Sequence, residues 1–304
     1  MTNSLADRIR VRPGVVSYLA VLVATATWGT SGIMVSYIST GSQITALSLA
    51  FWRDLSTFLL LFIGLRVIRP DWLRVRRQDL PWLAALGASL GTFHVCWILG
   101  VMLNGVPVAT VQQAAMPAIV AVVAWLIWRE PLTWRKNLAI LLTFAGTVLV
   151  SGLLELGKAE TSLQGVLVGL GIPCLYAAWN LFGKRVRQAY NPFTVLTYAF
   201  GFAALVLLPF QFFTSLPWPI QAATGLWFAG LVLISTIIPF SFYVFALGHL
   251  PAGTASILAM TEIAFVSIYA YFLLGQWLER SQIGGTILVI VGVSLLFQRK
   301  QHRG

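Results

Sequence analysis

The chain contains ten apolar segments, each about as long as a helix that crosses a membrane. Such a helix needs roughly 20 apolar residues, and short polar or charged turns separate the segments from one another. Charged residues make up only 10% of the chain, whereas soluble proteins carry about 25%. The sequence therefore predicts an all-α integral membrane protein with ten transmembrane helices. The predicted spans are 15–38, 44–66, 81–103, 106–128, 136–154, 163–184, 193–213, 222–247, 251–273 and 281–298.

The positive charges lie almost entirely on one side of the predicted membrane. If the N-terminus is cytoplasmic, only three of the 20 Lys and Arg residues lie elsewhere: Arg53 within a span, and Lys158 and Arg280 on the far side. The positive-inside rule describes this distribution. We therefore expect a multi-pass protein of the cytoplasmic (inner or plasma) membrane, with short basic cytoplasmic tails at 1–14 and 299–304. The formal charge of +11 then reflects orientation and attraction to membrane lipid, and no nucleic-acid partner is predicted.

The second half of the chain repeats the first. Pro107 and Met116 in the first half match Pro251 and Met260 in the second at an offset of 144 residues. The motif A-x-W-x-x-x-G also occurs twice, in the first and sixth predicted spans. We therefore expect an internal duplication of a five-span unit.

The duplication predicts two five-helix repeats, residues 15–154 and residues 163–298. Because five is an odd number, the second repeat must cross the membrane in the opposite direction to the first. Inverted repeats are typical of secondary transporters, whose substrate site lies near the bilayer midplane between the repeats. The sequence therefore favours a transporter with a central site.

Short motifs follow one another in a fixed order along the chain. They are Trp28-Gly29, Phe51-Trp52-Arg53, Arg129-Glu130-Pro131-Leu132-Thr133 and Leu250-Pro251-Ala252-Gly253-Thr254-Ala255. In order and spacing they resemble the EamA-type ten-span exporters of the drug/metabolite transporter (DMT) superfamily, over Ser17 to Phe297. The resemblance implies export of a small metabolite, often an amino acid or related compound, through a cavity that opens alternately to each side. The residue of the second repeat that corresponds to Glu130 is Gln276. Because this position lies at a membrane boundary, we expect a role at a helix end.

Glu262 lies about eleven residues into the ninth predicted span, near mid-depth at ~1.5 Å per residue. An ionisable group in hydrocarbon costs about 2.5–3.5 kcal/mol and usually faces the bundle interior or a wet cavity. Glu262 would carry a proton or bind a substrate ammonium; a packing hydrogen bond to a neighbouring helix is the alternative. Ala118 occupies the matching position of the first repeat, so the duplicated scaffold does not require the acid.

Three further ionisable residues, Arg53, Asp54 and His94, lie within predicted spans. Arg53 would hold a substrate carboxylate, or it would have a structural role in an ion pair or in binding backbone carbonyls. His94 and Trp97 share one helix face, where a proton-responsive imidazole would line a cavity wall or donate to a carbonyl. Asp54, His94 and Glu262 are the candidates for proton coupling, which leaves protons open as a partner.

The remaining candidates are polar and aromatic. Trp28 and Trp179 occupy equivalent repeat positions, where they would hold an apolar substrate group between them or simply pack. Gln112 and Gln113 are adjacent amides whose burial is costly without partners, so at least one should face the cavity. The predicted substrate-binding residues are Trp28, His94, Trp97, Gln112, Gln113, Trp179, Asn180, Tyr243 and Glu262.

Other classes of membrane protein fit the sequence less well. The chain contains no P-loop G-x-x-x-x-G-K-[ST], which argues against an ATP-driven pump. Ser89 and His94 are five residues apart on one helix and cannot face each other as an enzyme's nucleophile and base, so we predict no enzyme and no catalytic residue. No metal site or cofactor is predicted either. A uniporter or channel-like pathway remains the alternative, and the oligomeric state, a monomer included, stays open.

Overall fold

The computed structural model describes residues 13–150, 163–214, 221–274 and 280–296. All regular secondary structure in these ranges is helical. The α-helices are α1 (Pro13–Trp28), α2 (Ser31–Gly41), α3 (Ala46–Ile68), α4 (Leu80–Gln113), α5 (Met116–Trp128), α6 (Trp134–Val150), α7 (Leu163–Arg187), α8 (Pro192–Leu207), α9 (Ala222–Val232), α10 (Ile238–Leu247), α11 (Ala252–Ala259), α12 (Glu262–Leu274) and α13 (Arg280–Ser294).

Five helical stretches are long and apolar enough to cross a membrane. They are Val15–Gly41, Ala46–Ile68, Arg77–Leu103, Pro192–Phe213 and Ala222–Leu247. Shorter apolar helices cover Met116–Trp128, Ala252–Val266 and Ile283–Ser294. The all-helical membrane architecture is therefore confirmed, whereas the count of ten spans and the orientation of the termini stay predictions.

The range assigned to α4, Leu80–Gln113, includes the predicted turn at Asn104–Gly105. The chain nevertheless reverses there. A Cβ atom added to Gly100 would lie 3.6 Å from the Cβ of Ala109, although residues nine apart in a straight helix are about 13 Å apart. The two arms of α4 therefore lie side by side, and the second arm leads into α5.

Several predicted spans are interrupted near their middle, which the apolar pattern of the sequence did not predict. Two-residue turns separate α1 from α2 at Gly29–Thr30, α4 from α5 at Ala114–Ala115, and α11 from α12 at Met260–Thr261. A π-helical turn, Leu233–Ile237, joins α9 to α10. The α4–α5 and α11–α12 turns lie within two residues of equivalent positions in the duplicated sequence, so the interruption is itself repeated.

Glycines bring the helices of the two halves into close contact. A Cβ atom at Gly146 would lie 2.6 Å from the carbonyl oxygen of Gly285, and one at Gly292 would lie 3.1 Å from that of Ala139. These contacts join α6 to α13, the last helices of the two repeats. Gly87, which would place a Cβ 2.6 Å from the Ala199 carbonyl oxygen, plays the same part between α4 and α8. Gly91 likewise lies close to Ala203 of α8, so segment 87–91 is a packing motif.

Glu130 connects the first half of the chain to the second. Its Oε1 accepts a hydrogen bond from the Ala252 N–H (2.9 Å) and its Oε2 accepts one from the Gly253 N–H (3.4 Å). Both N–H groups belong to the first turn of α11, where an α-helix leaves donors unpaired and favours a negative charge. Lys136 Nζ lies 3.6 Å from Oε2. Glu130 thus has the helix-end role predicted for it, at the start of a helix from the other half.

The backbone of Arg129 places Glu130 in this position. Arg129 adopts a left-handed conformation, with φ of 53°, which ends α5 and turns the chain. The Glu130 carboxylate is thereby directed away from its own helix and towards α11.

Replacing Glu130 by Ala should lower the stability of the folded protein. The variant leaves two N–H groups of α11 and the Lys136 ammonium without their acceptor, at about 1–3 kcal/mol for each buried polar group left unpaired. Glu130→Gln retains one carbonyl acceptor and should lose less. The measurement is the thermal unfolding midpoint of the detergent-solubilised protein.

Asp71→Asn is the matched control for Glu130. Asp71 pairs with Arg74 at 3.4 Å, but both side chains are largely exposed, and surface pairs contribute little. Its unfolding midpoint should equal that of the wild type. If Glu130→Ala behaves like Asp71→Asn, the contact to α11 has no structural role.

Candidate substrate cavity

The interrupted helices surround a small cavity of about 30 Å³ between the two halves of the chain. A cavity of this size can hold water. Its walls come from both halves and combine aromatic, amide and charged groups. The lining residues are Trp28, Ser31, Arg53, Phe93, His94, Trp97, Gln113, Tyr176, Phe240 and Glu262.

Glu262 reaches the cavity because it is the first residue of α12, directly after the break at Met260–Thr261. Gln113, the last residue of α4, donates its Nε2 hydrogen to Glu262 Oε2 at 3.3 Å. The break itself is held by a hydrogen bond of 2.8 Å between the hydroxyls of Thr261 and Thr25. The start of α12 also favours a carboxylate through the helix dipole. Two broken spans, one from each half, therefore meet at this acid.

Arg53 lines the cavity and is 3% exposed. Its Nε donates to Thr236 Oγ1 at 2.8 Å, and the Thr236 hydroxyl donates in turn to the Leu231 carbonyl at 2.7 Å. Thr236 belongs to the π-helical turn, a feature frequently found at functional sites. Within the described part of the chain Arg53 forms no salt bridge. The structural ion pair that the sequence left open is therefore not what holds this guanidinium in place.

Asp54 and His94 form a pair behind Arg53. His94 Nδ1 lies 2.7 Å from Asp54 Oδ1, and the two side chains are 2% and 0% exposed. His94 lines the cavity, whereas Asp54 does not reach it. Arg53 and Asp54, although adjacent in sequence, have different partners, as expected for side chains about 100° apart around a helix.

The two repeat-related tryptophans do not enclose an empty space. The rings of Trp28 and Trp179 contact each other edge to face, with centroids 6.5 Å apart, so no substrate group lies between them in this structure. Trp28 lines the cavity and contacts Phe240 at 5.1 Å. Trp179 lies behind it, 1% exposed and stacked on Tyr243 at 5.5 Å. Asn180 donates to the Tyr243 hydroxyl.

Three predicted substrate-binding residues thus form a second layer outside the cavity wall: Trp179, Asn180 and Tyr243. Gln112 also lies elsewhere, because its Nε2 points to the Gly165 carbonyl of α7 at 3.5 Å. Gln113 does face the cavity, so one of the two adjacent amides behaves as the sequence argument required. Trp28, His94, Trp97 and Glu262 complete the predicted residues that line the wall.

Ser31, Phe93 and Phe240 also line the cavity, although they were not predicted from the sequence. Ser31 follows the break between α1 and α2, and Phe240 follows Pro239 in α10. Phe93 stacks on Tyr176 with centroids 4.7 Å apart. The proline beside Phe240 was the one available signal. Isolated phenylalanines in an apolar span otherwise look the same whether they face lipid or a cavity.

The model of the EamA-like transporter family matches residues 15–152 and, a second time, residues 163–298. The chain belongs to the EamA-like transporter family. This confirms the resemblance to the DMT superfamily and makes the chain a membrane transporter by family.

Named relatives point in the same direction. The chain is 26% identical to the uncharacterized inner membrane transporter YicL of Salmonella typhimurium over 94% of this chain and 96% of the relative. It is also 26% identical to the threonine/homoserine exporter RhtA of Escherichia coli over 84% of this chain and 83% of the relative. An uncharacterized transporter of Archaeoglobus fulgidus is 26% identical over 75% of this chain and 81% of the relative.

A solved crystal structure shares the fold. It superposes with a TM-score of 0.76 at 15% sequence identity, and covers 92% of this chain and 96% of that chain. At this identity the similarity shows the architecture alone. The helical arrangement of this chain is therefore one already seen in a solved protein.

The two tryptophans should respond differently to substitution by Phe. Trp28→Phe enlarges the cavity. It should change the selectivity of the reconstituted protein, that is, the rank order of exchange rates among the amino acids tested. Trp179→Phe, in the second layer, should lower the thermal unfolding midpoint through lost buried contacts and keep the same order. Both variants are measured with one panel of radiolabelled amino acids, and equal selectivity profiles for wild type and Trp28→Phe would assign Trp28 to packing.

Proposed function

We propose that this EamA-family protein is a secondary active transporter that exports small zwitterionic metabolites, amino acids or close relatives, by alternating access. The observation that carries the proposal is the pairing of opposite charges in one cavity. A single guanidinium, Arg53, and a carboxylate, Glu262, both line it. An amino acid presents the complementary charges, with its carboxylate for Arg53 and its ammonium for Glu262.

The chemistry of the two groups suits this assignment. Charge-assisted hydrogen bonds are stronger than neutral ones, and a guanidinium matches a carboxylate in shape. Arg53 has no carboxylate partner among the described residues, while Glu262 has only the neutral amide of Gln113 as a hydrogen-bond partner there. Each charge is therefore available to a bound zwitterion. The Trp28 ring adds a surface on which an ammonium or an apolar side chain would rest.

Alternating access is supported by the size of the cavity and by the contacts that close it. A cavity of about 30 Å³ leaves little room for an amino acid, so cargo would enter when the halves separate. Besides Glu130, three hydroxyl groups of the second half donate to the loop between α3 and α4: Thr194 to the Trp72 carbonyl (2.6 Å), Tyr198 to the Leu73 carbonyl (2.7 Å) and Tyr190 to the Asp79 carboxylate (2.6 Å).

A second set of contacts closes the opposite end of α3, where this helix begins. It comprises the Ser48 and Thr214 hydroxyls at 3.0 Å and the stacked rings of Tyr37 and Trp227 at 4.5 Å. Since α3 contains 23 residues, the two sets lie about 35 Å apart. The cavity lies between the two sets. Transport would break one set at a time.

The broader features of the proposal follow from the family and the sequence. The double match of the family model supports two repeats at 15–154 and 163–298 that move against each other. The name of the relative RhtA supports amino-acid cargo, and that of YicL supports an inner-membrane location. A facilitator that works without an ion gradient would use the same cavity. No enzymatic step is part of the proposal.

Glu262→Gln should lower amino-acid exchange about 10- to 100-fold. The variant replaces a charge-assisted hydrogen bond to the ammonium, about 1.5–3 kcal/mol, by a neutral one. The measurement is counterflow of radiolabelled amino acids in proteoliposomes, with the wild type and Asp71→Asn as the matched carboxylate-to-amide control. Normal exchange by Glu262→Gln would show that this carboxylate does not bind cargo.

The same vesicles test the role of Arg53 through the cargo. A methyl ester of the exchanged amino acid retains the ammonium but lacks the carboxylate, and should compete about tenfold less well. Saturable exchange supports a carrier, whereas flux that rises linearly with concentration would support a channel. An ester that competes as well as the free amino acid would rule out recognition of a carboxylate by Arg53.

A further inference from the structure

We propose that the buried Asp54–His94 pair is the proton-binding site that couples transport to a pH gradient, distinct from the cargo site at Arg53 and Glu262. This inference rests on the proposed function, since it divides the charged groups of one cavity between cargo and proton. It selects two of the three residues that the sequence named as candidates for proton coupling, and it assigns the third, Glu262, to the cargo.

The geometry of the pair leaves one atom on the cavity side that can take up a proton. His94 Nδ1 is engaged with Asp54 Oδ1 at 2.7 Å, and the hydrogen bond fixes which nitrogen faces the acid. His94 Nε2 and Asp54 Oδ2 are buried and have no hydrogen-bond partner in the described ranges. Because the imidazole ring lines the cavity, Nε2 is the atom through which water in the cavity would exchange a proton.

The surroundings of His94 are otherwise apolar. Its ring stacks on Phe200 at 6.1 Å and contacts Phe240 edge to face at 5.7 Å, with Phe93 beside it. The charged or titratable groups that face it are Asp54 and Arg53 on α3, Glu262 on α12 and Tyr176 on α7. Buried charges in such surroundings must be balanced by neighbours.

A count of charges shows what a proton changes. Arg53 and an ionised Glu262 compensate each other within the cavity. An ionised Asp54 with a neutral His94 adds one uncompensated negative charge, whereas a proton on Nε2 makes the pair an imidazolium–carboxylate with no net charge. Proton binding forms one N–H bond at Nε2 and leaves a water molecule behind, with no change of oxidation state. Together the four side chains therefore carry no net charge when the proton is bound and one net negative charge when it is not.

A zwitterionic cargo leaves this balance unchanged, because it adds one positive and one negative charge to Arg53 and Glu262. The proton and the cargo thus have separate binding groups in the same small space. In an exporter the pair would take up a proton from the side to which cargo is released and return it to the other side. The coupling would operate through the cavity that the two sites share.

The experiment compares two rates in the same proteoliposomes: exchange of L-threonine at equal pH, and L-threonine transport driven by a pH gradient. Asp54→Asn should reduce the ratio of gradient-driven transport to exchange by about tenfold, and His94→Asn should do the same. Glu262→Gln should lower both rates together and keep the ratio. If another amino acid of the panel exchanges faster than L-threonine, it serves as the probe.

Matched controls use residues outside the cavity. His249→Asn changes an exposed histidine after α10, and Asp71→Asn changes an exposed carboxylate; both should keep the wild-type ratio. A ratio in Asp54→Asn and His94→Asn equal to that of the wild type would overturn the proposal.

A measurement on the wild type keeps the proposal testable even if both variants fail to fold. Pyranine enclosed in the vesicles should report proton movement opposite to the movement of L-threonine. Saturable exchange with no proton movement would overturn the coupling site while the proposed export function stands. Absence of exchange with every amino acid of the panel would instead overturn the proposed function.

Discussion

The structure depends on a constraint of the hydrocarbon environment: a helix can be broken inside a membrane only where other groups satisfy its backbone. A side-chain hydrogen bond lies at three of the four breaks described above. Tyr269 donates to the Ala26 carbonyl near the end of α1 at 2.7 Å, and Thr236 donates to the Leu231 carbonyl beside the π-helical turn. Thr25 bonds to Thr261 at the break before α12. Side-chain hydroxyls therefore make the irregular backbone possible, and the irregular backbone creates the cavity.

The breaks also decide which buried charges can exist. Glu262 is tolerated at mid-span because it begins a helix and receives a hydrogen bond from Gln113, which itself ends a helix of the other half. Arg53 is held by a hydroxyl of the π-helical turn. Each charge is thus stabilised by a local departure from helical geometry in a different span. The concentration of ionisable groups at one depth follows from the concentration of breaks at that depth.

The two-fold character of the sequence makes the asymmetry of the site informative. The break before α5 recurs before α12, but the acid at 262 has Ala118 as its counterpart, and the closing carboxylate Glu130 has Gln276. Because neither acid recurs in the other repeat, the duplicated scaffold by itself does not require them. The charged groups therefore belong to what this particular chain adds to the shared scaffold, at the site and at one of the two closures.

The sequence by itself determined the helical membrane architecture, the duplication and the family, because apolar length and repeated motifs are local properties of the chain. It also singled out Glu262, Arg53 and His94, since an ionisable group in an apolar span is conspicuous. Only the tertiary structure decided that Trp179 lies behind Trp28 and that His94 pairs with Asp54. In a uniformly apolar helix, periodicity does not show whether a side chain faces lipid or a cavity. That direction is set by the helices that pack against it.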